Sequence, residues 1–220
     1  MAVNYHLQDQ FLEKFFTSQF GPDFYLTGGT ALARFYFHHR ESVDLDLFTQ
    51  NQTVDFAAIN VFIEKVGVAV GLRTVGQVVT NTFLQYIFED SSGDGLKVDF
   101  VKDIPVHFGE FKQEGKVRID SLENIGSNKV LAVFGRTDHK DFIDLYYILR
   151  ETDLTFDHLV SLAKQKDVGF TEFYLANSID QLQTATQMPI LLKPLDVDAY
   201  KSFYKRISEE ILSKLKPEDT

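Results

Sequence analysis

Two aspartates stand one residue apart in an apolar stretch, SVDLDLFT, at residues 42–49. Because alternate residues of a β-strand point to the same face, Asp44 and Asp46 would lie side by side, although aspartate is depleted from strands. Such paired carboxylates repel each other unless a cation neutralises them, and oxygen ligands suit a hard divalent cation such as Mg²⁺. The alternative is a solvated strand edge, where charged residues are common.

A third aspartate follows the same pattern. Asp99 lies in LKVDFV, at residues 96–101, between Val98 and Phe100. If this strand is a neighbour of the first, three carboxylates converge, as in sites where one carboxylate bridges two metal ions about 3.5–4 Å apart. The alternative is an ordinary surface ion pair between Asp99 and Lys97, which share one face of the predicted strand.

Two adjacent glycines, Gly28 and Gly29, stand between a short apolar run and a helical pattern. Glycine lets the backbone approach a ligand closely, and the first N–H groups of a helix attract anions. A strand, two glycines and a helix therefore predict a phosphate-binding turn, to which Thr30 could add a hydroxyl. A tight turn that needs glycine only for its conformation is the alternative, and no Walker motif follows.

The elements that position these residues change in character along the chain. Up to about residue 120 helical patterns at 5–18, 30–39 and 53–66 alternate with strand patterns at 24–27, 42–49, 74–79, 82–89, 96–101 and 117–119. Helical patterns then cover 122–135, 138–151 and the tail. The sequence predicts an α+β domain at 1–120, with a mixed β-sheet flanked by helices, and a helical domain at 121–220. His38 and His39 are predicted at a helix end, without a metal-binding role.

Composition limits the function classes. The chain has 220 residues, a formal net charge of −10 and no cysteine, which excludes disulfides and thiolate metal sites. The negative charge argues against nucleic-acid binding through the whole surface, but a local basic groove stays possible. The start of the chain does not have the pattern of a signal peptide, and no apolar run approaches the ~20 residues of a membrane span. We therefore expect a cytoplasmic protein with no membrane partner.

The order of these motifs resembles the polymerase-β-like nucleotidyltransferase superfamily. Three longer blocks, GGTALARFYFHHRESVDLDLF, KVDF and NKVLAVFGRTDHKDFIDLYYIL, resemble the AbiEii/AbiGii toxin-type nucleotidyltransferases over roughly residues 25–150. The resemblance implies a polymerase-β-like fold whose helical C-terminal domain completes the active-site cleft. It also implies a nucleoside triphosphate substrate and one or two Mg²⁺ ions as cofactor.

The resemblance further implies three sets of site residues. The metal ligands would be Asp44, Asp46 and Asp99. The catalytic residues would be Asp99, Lys129, Asp141 and Asp144. The nucleotide-binding residues would be Gly28, Gly29, Thr30, Arg40, Ser42 and Arg136. From helical spacing alone, Asp144 could instead pair with Lys140 on the helix surface, since the two are four residues apart.

The implied function is transfer of a nucleoside monophosphate from the triphosphate to an acceptor hydroxyl. In this family the enzyme would be the toxin of a toxin–antitoxin pair, with transfer RNA or another RNA as acceptor and an antitoxin protein as partner. Two alternatives stay open. One is transfer to a small cationic molecule of the aminoglycoside type, which an acidic cleft would attract. The other is a non-catalytic nucleotide-binding protein on the same fold.

Overall fold

The chain divides into two compact units. The first comprises Met1–Tyr36 and Glu41–Ser121, and the second comprises Phe37–Arg40 and Leu122–Thr220. The structure is a computed structural model that describes residues 3–182 and 188–215. The predicted domains also include residues 1–2, 183–187 and 216–220, and the predicted helical tail runs to residue 220; these parts of the predictions lie outside the described residues.

The first unit is built from three helices and seven strands among the described residues. The helices are α1 (Tyr5–Phe16), α2 (Gly28–Ala31), which continues as a π-helical turn over Leu32–Tyr36, and α3 (Phe56–Ala69); a 3-10 turn spans Gly21–Asp23. The strands are β1 (Tyr25–Thr27), β2 (Asp44–Thr49), β3 (Arg73–Val79), β4 (Phe83–Glu89), β5 (Gly95–Lys102), β6 (Lys112–Glu114) and β7 (Val117–Ile119).

The strands form a single mixed sheet in the order β3-β4-β5-β2-β1-β7-β6. The pairs β2–β5 and β1–β7 are parallel, and the other neighbours are antiparallel. This arrangement confirms the predicted α+β class with a mixed sheet. It also places β2 and β5, the two strands with acidic residues, side by side at the centre of the sheet.

Aromatic packing holds α1 against one face of the sheet. The apolar residues of α1 are buried, and the Phe15 ring lies 5.4 Å from that of Phe24 and 5.1 Å from that of Phe100. Helix α3 begins later than predicted because the Asp55 side chain caps it, accepting hydrogen bonds from two backbone N–H groups. The face of the sheet that carries Phe100 is therefore the core face, and residues that alternate with it point the other way.

The helix predicted over residues 30–39 is wrong at both ends. It begins at Gly28, and its π-helical turn ends at Tyr36. His38 has a φ of 51°, so neither histidine belongs to the helix. The chain leaves the helix because the next residues join the second unit: the His39 carbonyl accepts a hydrogen bond from Leu192 N–H at 2.9 Å, and Arg40 forms a β-bridge with Leu191.

The second unit is helical apart from that bridge, within the residues described. Its helices are α4 (Leu122–Gly135), α5 (His139–Glu151), α6 (Phe156–Lys166), α7 (Glu172–Gln181) and α8 (Val197–Lys214). Asp or Thr side chains cap the first turns of α5, α6, α7 and α8, which explains where these helices begin. In the core, the Tyr204 hydroxyl donates to the Phe142 carbonyl at 2.6 Å. No described helix is both long and apolar enough to cross a bilayer.

Candidate active site

Three carboxylates share one face of the sheet, opposite the aromatic core. The register between β2 and β5 pairs Asp46 with Asp99 and Asp44 with Lys97. Paired residues of neighbouring strands point to the same side, so all four side chains lie on one face. Their neighbours in the strands, such as Leu45 and Phe100, are fully buried on the other. We refer to Asp44, Asp46, Asp99 and Lys97 as the carboxylate face.

The ammonium group of Lys97 contacts two of these carboxylates. Its Nζ lies 2.9 Å from Asp99 Oδ2 and 3.5 Å from Asp44 Oδ2. Partial burial acts to lower the pKa of Lys97, but the hydrogen bond to Asp99 and the charges of Asp44, Asp99 and Asp46 raise it above its usual value. Lys97 is therefore charged, and it neutralises part of the carboxylate face.

The chemistry of the carboxylate face fits a divalent cation only in part. Asp99 is 9% exposed, and its Oδ1 is buried without a hydrogen-bond partner among the described residues. A buried carboxylate oxygen without a partner is costly, and a hard cation would satisfy it. Within the described residues, however, no three His, Cys, Asp or Glu side chains converge closely enough to hold a metal ion. The carboxylate oxygens are suitable ligands for a divalent cation, but Asp44 and Asp99 point towards the ammonium group of Lys97.

Gly28 lies directly against the carboxylate face. Its φ is +69°, and a Cβ atom at this position would lie 2.5 Å from Asp46 Oδ2. Only glycine combines this conformation with so close an approach. Gly29 is buried in the first turn of α2. Gly28 therefore has a conformational role, and it also adjoins a predicted metal ligand. Phosphate binding by Gly28 and Gly29 stays a prediction.

The hydroxyls of Thr30 and Ser42 are used within the unit. Thr30 Oγ1 donates to the Asp44 backbone carbonyl and lies 2.9 Å from Ser42 Oγ. Thr30 is fully buried, so these bonds tie α2 to the first residue of β2. Both residues were predicted to bind nucleotide. That role stays a prediction, and what the structure shows is that they fix the start of the strand that carries Asp44 and Asp46.

The second unit contains a buried ion-pair network centred on two aspartates of α5. The Arg40 guanidinium donates to both oxygens of Asp144 at 2.7 Å, and His39 Nε2 lies 2.8 Å from Asp144 Oδ1. Lys129 Nζ lies 2.7 Å from both Asp141 Oδ1 and Asp144 Oδ2. Arg136 Nε donates to Asp141 Oδ2, also at 2.7 Å. We refer to these six residues as the buried network.

Burial and charge act in opposite directions on the acids of the buried network. Asp141 and Asp144 are fully buried, which alone would raise the pKa of each. The charges of Lys129, Arg136 and Arg40 outweigh burial, so the pKa of both carboxyls lies below the usual range. Burial lowers the pKa of His39 despite its contact with Asp144. At neutral pH the aspartates are ionised and His39 is neutral.

The model of one protein family matches nearly the whole chain. This family, described as the nucleotidyl transferase AbiEii toxins of type IV toxin–antitoxin systems, matches residues 10–216. The chain belongs to the AbiEii family. It is therefore a nucleotidyltransferase of a toxin family. No curated protein sequence matches it significantly.

Solved structures from Helicobacter pylori and Mycobacterium tuberculosis have a similar fold. The crystal structure of a nucleotidyltransferase candidate from H. pylori is 19% identical in sequence to this chain, with a TM-score of 0.65. The match covers 96% of this chain and 94% of that chain. JHP933 from Helicobacter pylori is 17% identical with a TM-score of 0.64, covering 97% and 95%. The nucleotidyltransferase toxin MenT4 from Mycobacterium tuberculosis H37Rv is 16% identical with a TM-score of 0.59, covering 96% and 82%. At these identities the likeness shows the fold alone.

The predicted site residues of this AbiEii protein fall into two groups. Asp44, Asp46 and Asp99 share one face in the sheet unit, with Gly28 against Asp46. The other group meets in the buried network: Arg40, Lys129, Arg136, Asp141 and Asp144. The suggested surface pair between Lys140 and Asp144 is wrong. Lys140 Nζ lies 3.4 Å from Asp138 Oδ2 instead, because Asp144 points into the interior, where three other side chains bind it.

Sequence reasoning missed two polar residues that organise this AbiEii fold. His39 belongs to the buried network, and its position beside Arg40 gave no sign of that. Asp120 is fully buried in the sheet unit; its Oδ2 accepts from Thr27 Oγ1 at 2.5 Å, and its Oδ1 lies 2.8 Å from His107 Nε2. Since Thr27 directly precedes Gly28, Asp120 fixes the end of β1 from which the glycine turn departs.

Proposed function

We propose that this AbiEii protein is a Mg²⁺-dependent enzyme that transfers a nucleoside monophosphate from a nucleoside triphosphate to a hydroxyl of an RNA acceptor. The observation that carries the proposal is the common face of Asp44, Asp46 and Asp99, with Gly28 against Asp46. Residues of a binding module would have no evident need for three acids on one face. Membership in a nucleotidyltransferase family also sets the non-catalytic alternative aside.

In the proposed reaction the acceptor oxygen forms a bond to the α-phosphorus, and the bond to the pyrophosphate oxygen breaks. Asp44 and Asp46 would hold the divalent ion, whose charge offsets that of the triphosphate when it is bound. Asp99 would either complete the metal site or accept the proton of the attacking hydroxyl. Its buried Oδ1, which has no hydrogen-bond partner in the described part of the chain, supports a role for this carboxylate beyond its pair with Lys97. Gly28 and Gly29 would leave room for the triphosphate.

The buried network supports different roles for Lys129, predicted as catalytic, and Arg136, predicted to bind the nucleotide. The side chain of Arg136 is 58% exposed, so its guanidinium can bind a phosphate while Nε stays on Asp141. Lys129 is 7% exposed and already lies between Asp141 and Asp144. We propose Arg136 as the phosphate-binding residue of this pair. Asp141 would hold Arg136, and Asp141 and Asp144 together would hold Lys129 in place.

The acceptor class is decided by a transfer assay. The purified chain is incubated with each α-labelled nucleoside triphosphate, with total RNA or an aminoglycoside as acceptor, and with Mg²⁺ or a chelator. We expect label on RNA and release of pyrophosphate, both abolished by the chelator. Label on the aminoglycoside alone would favour the small-molecule alternative, which the net charge of −10 makes reasonable. Absence of transfer to either acceptor, with every nucleotide, contradicts the proposal.

The glycine turn gives a prediction with a matched control. We expect Gly28→Ala to lower the transfer rate at least about tenfold, because the new methyl group displaces the Asp46 carboxylate. Gly71→Ala is the control: its φ is +77°, but no atom of residues 3–182 or 188–215 would lie within 4 Å of the added Cβ. Both changes introduce backbone strain of about 1–2 kcal/mol, so only the contact with Asp46 separates them.

The measurement compares initial transfer rates and urea unfolding of the two variants with those of the unmodified chain. We expect a similar loss of unfolding free energy in both and a loss of activity in the first alone. Equal activity of Gly28→Ala and Gly71→Ala would show that Gly28 serves only the fold.

A further inference from the structure

Lys97 is placed among the carboxylates by strand register. It stands opposite Asp44 on β2 and two residues before Asp99 on β5, so its side chain must rise between them on the same face. The distances agree: 2.9 Å to Asp99 Oδ2 and 3.5 Å to Asp44 Oδ2. The ammonium group therefore already occupies carboxylate oxygens that a divalent ion would need.

An ammonium group and a divalent ion compete for the same oxygens. Both bind through the carboxylate lone pairs, and two cations at such short range repel each other. The described side chains form no ready group of three metal ligands, although three carboxylates share the face. The contacts of Lys97 explain this discrepancy, because Asp44 and Asp99 are oriented towards its Nζ.

We propose that Lys97 is an internal counter-cation that holds the carboxylate face together without metal and must release Asp44 and Asp99 before a divalent ion binds. Lys97 thus sets the metal affinity of the site. The buried Asp99 Oδ1 is the second observation behind this inference, since no described residue gives this oxygen a hydrogen bond even when Lys97 is in place. The inference rests on the proposed function for the identity of the metal ligands.

The test measures metal binding directly, without nucleotide or acceptor. Mn²⁺ is titrated into the purified chain, and the free ion is followed by electron paramagnetic resonance. We expect Lys97→Met, which keeps the length of the side chain but removes its charge, to bind Mn²⁺ about tenfold more tightly; partial exposure of the lysine keeps the effect moderate. Adding Asp46→Asn to Lys97→Met should abolish the gain.

Two control variants separate competition from general effects. Lys102→Met removes a lysine from the same strand, where Nζ donates to the Gln52 and Val54 carbonyls at 3.1 Å, and should leave the Mn²⁺ affinity within twofold. Lys97→Arg keeps the charge and should not tighten binding. If Lys97→Met does not fold, circular dichroism reveals it, and Lys97→Gln takes its place.

Unchanged or weaker Mn²⁺ binding in a folded Lys97→Met or Lys97→Gln variant overturns the inference, as does an equal gain in Lys102→Met. The transfer assay on the same preparations keeps the two proposals apart. Tighter Mn²⁺ binding without any nucleotide transfer would refute the proposed function and support the role of Lys97. Normal nucleotide transfer with unchanged Mn²⁺ affinity would support the proposed function and refute the role of Lys97.

Discussion

Asp46→Asn is expected to lower the rate of nucleotide transfer by about 10²- to 10⁴-fold, the effect of losing several kcal/mol of metal-dependent stabilisation. Asp46 is the central acid of the carboxylate face: its register partners are Thr27 on β1 and Asp99 on β5, and Gly28 packs against its Oδ2. Asparagine has nearly the same shape but no charge. The measurement is the initial rate of transfer at saturating Mg²⁺.

The same substitution is expected to leave the fold intact without metal. Three acids on one face repel each other, so removal of one charge should maintain or raise the free energy of unfolding. Glu89→Gln is the matched control, since this acid lies at the end of β4, where it pairs with Arg73 at the surface. Transfer by Asp46→Asn within a few-fold of the unmodified rate would remove Asp46 from the metal site.

The face shared by Asp44 and Asp46 could be predicted because strand alternation is a local property. Residues two positions apart in a strand point to the same face of the sheet, whatever the rest of the fold. That Asp99 joins them depends on β2 and β5 being neighbours in a given register, and a slip by one residue would have reversed its face. From the sequence, convergence of the three acids was expected only if the two strands were neighbours, and the structure shows that they are.

The buried network could not be predicted from local spacing. Arg40 and Asp144 are 104 positions apart, and they meet only because Phe37–Arg40 joins the helical unit. Spacing along α5 suggested instead that Asp144 pairs with Lys140 four residues away. Tertiary burial decided the outcome. A fully buried carboxylate requires several hydrogen-bond donors, whereas an exposed ion pair with a lysine contributes little to stability.

The end of the helix after the glycine turn was also beyond sequence analysis. The stretch through His39 has helical composition, but the backbone leaves the helix at Tyr36. The competing contacts are the carbonyl of His39 with Leu192 N–H and the side chains of His39 and Arg40 with Asp144. These partners lie far along the chain, so propensity over a short window carries no information about them.

Asp144→Ala is expected to destabilise the protein by about 3–5 kcal/mol, because it leaves Arg40 and Lys129 as buried charges with fewer partners. Asp144 accepts from His39 Nε2, Arg40 and Lys129 and is completely buried. The measurement is the free energy of unfolding in urea at pH 7.5. Asp157→Ala is the control, since its pair with Lys214 is largely exposed and should change stability far less.

The acid dependence of unfolding tests whether the buried network acts through charge. The pKa values of His39 and Asp144 are both lower in the folded chain, so unfolding takes up protons and stability rises with pH. The contribution of His39 is complete above about pH 6.5 and is lost as the pH falls below it, and that of Asp144 is lost below about pH 4. Asp144→Ala should flatten the lower part of this profile. A profile that keeps its full slope below pH 4 in the variant would mean that the charge of Asp144 does not contribute to the acid dependence. A loss of stability no larger than that of Asp157→Ala would mean that Asp144 adds little to the stability of the fold.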